Sequence, residues 1–151
     1  MEKTIILGIG NLLLKDEGVG VHAIRALAGR DLPPGVELID GGTAGFDLLP
    51  LLVGADKIII VDALRGGEPA GAVYRVTPGD FRSQQQDTPI SLHDLGILQV
   101  IRSLEILEER TPRVVIIGVE PKEIDWGMEL TPEVAASLPA VLEQIEKEVK
   151  N

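Results

Sequence analysis

Three short stretches of the chain are almost continuously apolar: Thr4 to Ile9, Lys57 to Val61 and Val114 to Gly118. Each is rich in β-branched residues and does not alternate, the pattern of strands buried on both faces. A fourth stretch, Val36 to Ile39, is shorter and ends at Asp40. A fifth, Ala72 to Thr77, puts Tyr74 and Val76 on one face and Arg75 and Thr77 on the other, so one face is expected to be wet. It follows the turn-rich Arg65-Gly66-Gly67-Glu68-Pro69 and reads as an antiparallel or edge strand.

Helical spacing fills the intervals. Val21, Ile24, Leu27 and Ala28 make one apolar stripe, and Ile97, Val100, Ile101, Leu104 and Leu107 another. Ser91 with Asp94 three residues on resembles a capping box and predicts the start of that second helix. Thr131-Pro132 reads as N-cap and N1 of a last helix. Its apolar face runs from Val134 through Leu138, Val141, Leu142 and Ile145 to Val149, with a kink or restart expected at Pro139. A shorter helix is expected over Phe46 to Val53, and Pro78 to Pro89 reads as one long irregular loop. Strands alternating with helices in this way predict an α/β fold, a mostly parallel sheet covered on both faces. No repeat or linker divides the 151 residues, so a single domain spanning 1–151 is expected.

Composition narrows the chemistry. Cysteine is absent, which removes disulfides, thiolate metal sites and a cysteine nucleophile. The 14 basic and 24 acidic residues give a net charge of −10, and no Lys/Arg cluster is present. Binding to nucleic acid or to an anionic membrane surface is therefore not expected. No apolar run reaches the roughly 20 residues that span a bilayer, and the start of the chain lacks the shape of a signal peptide. A cytoplasmic location is the expectation.

In sheets of this kind ligands gather at the carboxyl ends of the strands. Glycine-rich Gly8-Ile9-Gly10 leads there into Asp16-Glu17, and the second strand leads into Asp40-Gly41-Gly42-Thr43. The third strand is expected to end at Asp62, and His93 falls in the first turn of the helix that Ser91 opens. Glu17, Asp62 and His93 are thus expected on one rim, and two carboxylates with an imidazole suit a divalent metal such as nickel or zinc. A single carboxylate at a strand end is more often a cap or simply solvated, and Asp16 and Glu17 compete for the anion-favouring helix N-terminus; Asp16 is assigned the capping role. His22 is assigned no role. A dinucleotide site is disfavoured: Leu13 stands where a third glycine belongs, and Asp16 and Glu17 would face the pyrophosphate.

Taken together, the segments GIGNLLLKDEGVG from Gly8, LIDGGTAGFDLL from Leu38, IIIVDAL from Ile58, SLHDLG from Ser91 and VVIIGVEP from Val114 resemble the hydrogenase maturation endopeptidases. They cover nearly the whole chain. The resemblance implies a three-layer α/β/α fold with a five-stranded mixed, mostly parallel sheet in which one strand is antiparallel. It implies an endopeptidase that removes the C-terminal extension of a nickel–iron hydrogenase large-subunit precursor after nickel insertion. It implies that Glu17, Asp62 and His93 are the catalytic, metal-contacting residues, and that Asp40, Gly41, Gly42 and Thr43 recognise the substrate. It implies that the nickel is carried by the substrate, with no tightly held metal expected in the isolated enzyme. The precursor is the expected partner. A non-hydrolytic nickel-checking chaperone and a nucleotide-binding oxidoreductase domain are the rival readings.

Overall fold

The computed structural model describes residues 2–83, 91–92 and 96–151. The five apolar stretches form strands β1 (Thr4–Ile9), β2 (Val36–Gly42), β3 (Lys57–Arg65), β4 (Val73–Val76) and, after a two-residue strand β5 (Ser91–Leu92), β6 (Arg113–Val119). Their order across the sheet is β2-β1-β3-β6-β4. β1 runs parallel to β2 and β3, and β3 parallel to β6. β4 lies antiparallel on β6 at the edge, with Val76 buried and Arg75 exposed, as its alternation predicts. This is the expected mixed five-stranded sheet, to which β5 adds a short antiparallel pairing of Leu92 with Leu64 and Ser91 with Arg65.

Side-chain alternation sends each central strand into two cores. Ile5, Leu7, Ile9, Ile58, Ile60 and Leu64 pack beneath α2 (Leu49–Leu52) and α4 (Gly96–Glu108). Ile6, Ile59, Val61, Ile117 and Val119 pack beneath α1 (Val19–Leu27) and α5 (Pro132–Lys150). Both faces are apolar because both are covered, which explains why the strands read as continuous apolar runs. The three-layer α/β/α arrangement follows.

Several expectations need correction. β3 does not end at Asp62 but runs to Arg65, because Ala63 still pairs with Val119 and the next two residues pair with β5. β2 likewise runs past Asp40 to Gly42, through an irregularity opposite Gly8 and Ile9. Ser91 is engaged in β5, so it is not the N-cap of α4, whose first described residue is Gly96. Pro78 to Pro89 is not wholly irregular, since α3 (Pro78–Ser83) occupies its start; Asp80 there accepts hydrogen bonds from the Thr77 backbone and hydroxyl, as an N3 carboxylate does in a capping box. Leu107 is exposed, so the buried stripe of α4 stops at Leu104. α5 passes through Pro139 without a restart: the apolar face on both sides of the proline stays packed on the sheet, and burial outweighs one lost ladder bond.

α1 lies unusually close to the sheet. A Cβ at Gly20 would come 2.2 Å from the Val61 carbonyl oxygen and 2.6 Å from that of Ile9, and a Cβ at Gly8 would come 2.3 Å from the Gly20 carbonyl oxygen. Only glycine on both sides allows this approach, which sets the height of the turn preceding α1 above the strand ends. Gly20→Ala gains about 1 kcal/mol of helix propensity, but the methyl has to push backbone apart, and such overpacking costs about 1–3 kcal/mol. Urea unfolding should therefore show a net loss with an unchanged m-value; a stabilised variant would refute the close approach.

Candidate active site

Three chain segments meet at the carboxyl rim. β1 leads into Gly10, whose φ of +132° is a conformation that favours glycine. A Cβ there would sit 2.0 Å from the Glu17 carbonyl oxygen and 3.7 Å from Asp62 Oδ1. Gly10 is thus the thin point across which the 3-10 turn Lys15–Gly18 and strand β3 approach one another. Glu17 is 4% exposed and Asp62 1%. The Asp62 carboxylate is held in place by the backbone N–H of Ala63, which donates to Oδ1 at 2.8 Å. Within β3 its side chain shares a face with Ile60 and Leu64, the side covered by α4.

The Asp40-Gly41-Gly42-Thr43 loop reaches the same rim. Asp40 pairs with Gly8 on one side of β1 while Val61 pairs with Gly8 on the other, so two strand spacings, about 10 Å, separate Asp40 from β3. The Gly10 N–H donates to the Gly42 carbonyl at 2.9 Å, and the Gly42 N–H donates to Asp40 Oδ1 at 3.1 Å. These bonds leave the Asp40 carboxylate exposed, with the exposed Thr43 beside the turn. Glu17, Asp62 and the Asp40–Thr43 loop are therefore brought together. His93 lies outside the described residues; among those described, no three His, Cys, Asp or Glu side chains gather to hold a metal.

Asp16 and Glu17 divide their roles sharply. Asp16 is fully buried, but it does not cap its own turn or α1, which have no side-chain cap bond. It accepts instead from the backbone N–H groups of Lys122, Glu123 and Thr131, at 2.9, 3.0 and 2.8 Å, and from the Thr131 hydroxyl at 2.8 Å. Thr131 stands at the predicted N-cap of α5, yet its hydroxyl serves Asp16. Asp16 is thus a clamp between the turn carrying Glu17 and the 120–131 segment, a partnership across more than a hundred residues that no local spacing announces. On the other flank, Glu120 accepts from the N–H groups of Gly66 and Glu68 and from the Tyr74 hydroxyl, at 2.8, 3.2 and 2.5 Å, which fixes the turn after β3. Burial and this carboxylate push the Tyr74 phenol up to about 12. His22 is hydrogen-bonded to the Met128 backbone, and burial pushes its imidazole below the usual value.

A covered mixed sheet with two buried carboxylates and a glycine-rich acidic loop at its carboxyl rim is an α/β architecture whose candidate site lies at the strand ends. The profile of the HycI hydrogenase maturation protease family matches residues 21–148, a span that includes Asp40–Thr43, Asp62 and His93 but not Glu17. The chain belongs to this family, and it is a peptidase. It is 35% identical over 144 residues to the hydrogenase 2 maturation protease of Escherichia coli, covering 95% of this chain and 88% of that one. It is 34% identical over 151 residues to the hydrogenase expression/formation protein HupD of Rhodobacter capsulatus, covering 99% of this chain and 72% of that protein. Its structure is similar to the hydrogenase maturating endopeptidase HybD of E. coli, with a TM-score of 0.84 and 33% identity over 98% of this chain and 92% of that one. The [NiFe] hydrogenase maturation protease HybD of Thermococcus kodakarensis also gives a TM-score of 0.84, at 31% identity over 97% and 99% of the two chains.

The clamp generates a stability prediction. Burial pushes the Asp16 carboxyl up, but the hydrogen bonds from Glu123, Thr131 and Lys122 outweigh it and hold the group below the usual carboxylate value. Its stabilisation is therefore complete above the unfolded value of about 3.9 and is lost as pH falls through the lower folded value. Asp16→Asn should cost about 1–3 kcal/mol at pH 7 and should flatten the acid side of the stability profile below pH of about 4. Urea unfolding across pH 2–8 measures both.

Proposed function

We propose that this chain removes the C-terminal extension of a nickel–iron hydrogenase large-subunit precursor once nickel has been inserted, reading the nickel that the substrate carries. The observation that carries the reading is the close approach at Gly10 of the Glu17 backbone and the Asp62 carboxylate, on the rim where the Asp40–Thr43 loop is tied to the same glycine. The names of the relatives supply the reaction and the class of substrate.

Glu17, Asp62 and His93 are the metal-contacting, catalytic side chains in this reading. Leu92, next to His93 in sequence, pairs with Leu64, two residues beyond Asp62, which supports placing the histidine with them. Oxygen and nitrogen ligands without thiolate hold a free divalent ion only modestly and leave coordination positions for groups of the substrate. A loaded precursor then gains contacts that an empty one lacks, so the metal acts as a licence for cleavage. The peptide bond is hydrolysed by water, with the substrate's metal polarising the scissile region and Asp62 or Glu17 as the carboxylate base. Asp40, Gly41, Gly42 and Thr43 recognise the precursor beside them. No helix among the described residues is long and apolar enough to cross a membrane; action in the cytoplasm, where the precursor is made, belongs to this proposal.

Incubation with nickel-loaded and nickel-free precursor, read by intact mass, tests it. Only the loaded form should be shortened. A chaperone would bind that form without shortening it, and efficient cleavage of metal-free precursor would remove the licence.

Single substitutions assign the side chains. Glu17→Gln keeps the size of the residue but replaces a carboxylate ligand by a poor one, so processing should fall by orders of magnitude. His93→Ala should have the same effect with little change in melting temperature. Asp16→Asn should instead lose mainly stability; if Asp16→Asn were the inactive variant and Glu17→Gln the active one, the two roles would have to be exchanged.

A further inference from the structure

The 120–131 segment displays side chains that the site described above does not use. Trp126 is 76% exposed, Met128 58% and Leu13 49%. The backbone that carries them is firmly held. Leu14 and Gly127 form a parallel bridge in which the Gly127 N–H donates to the Leu13 carbonyl at 2.9 Å and the Lys15 N–H to the Gly127 carbonyl at 2.8 Å. The Asp16 clamp secures Lys122, Glu123 and Thr131, and His22 holds the Met128 backbone. A tryptophan and a methionine kept in water by a fixed backbone are the mark of a contact surface. The same bridge ties this backbone to Lys15, two residues before Glu17, so the patch is carried on the backbone that carries the turn of the candidate site.

Charge narrows the partner. Lys15 is matched by Glu123 at 2.8 Å and Lys122 by Glu133, whereas Asp125 and Glu129, which flank Trp126 and Met128, make no ion pair among the described residues. The patch is therefore apolar with an acidic border. We infer that Leu13, Trp126 and Met128 are the surface on which an extended segment of the large-subunit precursor lies beside the site, a segment with apolar side chains bordered by lysine or arginine. This rests on the assignment of Glu17 and Asp62 to the site.

Trp126 is the sole tryptophan, so 5-fluorotryptophan placed in this chain gives a single 19F resonance. Unlabelled nickel-loaded precursor should shift that resonance. Trp126→Ala should raise KM about tenfold or more, as for an interface anchor, with kcat within about twofold and an unchanged melting temperature, since the side chain is packed against little. Asp125→Asn with Glu129→Gln should raise KM at low ionic strength and flatten its salt dependence. A resonance unmoved by saturating precursor, or a KM unchanged in Trp126→Ala, overturns the inference. A resonance that moves with the concentration of this chain alone overturns it in favour of a second copy. Glu17→Gln is assayed alongside: its inactivity together with a normal Trp126→Ala refutes the docking surface alone, whereas full activity of Glu17→Gln refutes the site and the docking surface built on it.

Discussion

A carboxylate taken out of water has to find donors within the protein, and at Asp16 that requirement organises the whole carboxyl rim. The residue is fully buried, and its donors come from Lys122, Glu123 and Thr131, on the segment that joins β6 to α5. Satisfying them locks the turn Lys15–Gly18 against the start of α5, and Glu17 is the next residue along that turn. The charge on Asp16 is thus not spent on a ligand. It fixes the backbone from which Glu17 projects, at the point where Gly10 allows that backbone to touch β3.

The opposite end of the sheet is built differently. There Lys57 and Glu148, both almost wholly buried, are joined in one cluster with Arg75; Lys57 Nζ donates to the Glu148 and Asn151 carbonyl oxygens, and Arg75 to the Glu148 carboxylate. The bond from Arg75 is the main cause that keeps the Glu148 carboxyl below its usual value. These groups fasten the end of α5 to β3 and β4, and every one of them is engaged within the protein. This cluster holds the amino ends of the parallel strands, a strand length from the carboxyl rim, where the Asp16 clamp does the corresponding work.

The strands were legible because a sheet covered on both faces leaves continuous apolar runs, and Lys57–Val61 and Val114–Gly118 are such runs. Their ends were less legible: Asp62 looked terminal because it is charged, yet the ladder continues through Ala63 to Arg65 on partners distant in sequence. The candidate carboxylates Glu17 and Asp62 could be placed on a shared rim from topology alone. That Gly10 separates them, and that Asp16 faces away from the site, depends on contacts between residues 16 and 131 that no periodicity encodes. The same holds for Ser91, whose sequence neighbourhood suits a helix cap but whose backbone is taken by Leu64 and Arg65, and for Trp126, which in sequence is only a lone aromatic in an acidic loop.

In the proposed reaction the metal arrives with the substrate, and the donors of the rim bear on that division of ligands. A resident divalent ion is held by several donors fixed in one coordination sphere, and here the fixed donors of the rim are largely spoken for: Asp16 by Lys122, Glu123 and Thr131, Asp62 Oδ1 by Ala63, Asp40 Oδ1 by Gly42. In the proposed reaction the ligands that the rim does not supply arrive with the metal, so a precursor that brings both gains contacts that an empty one cannot make.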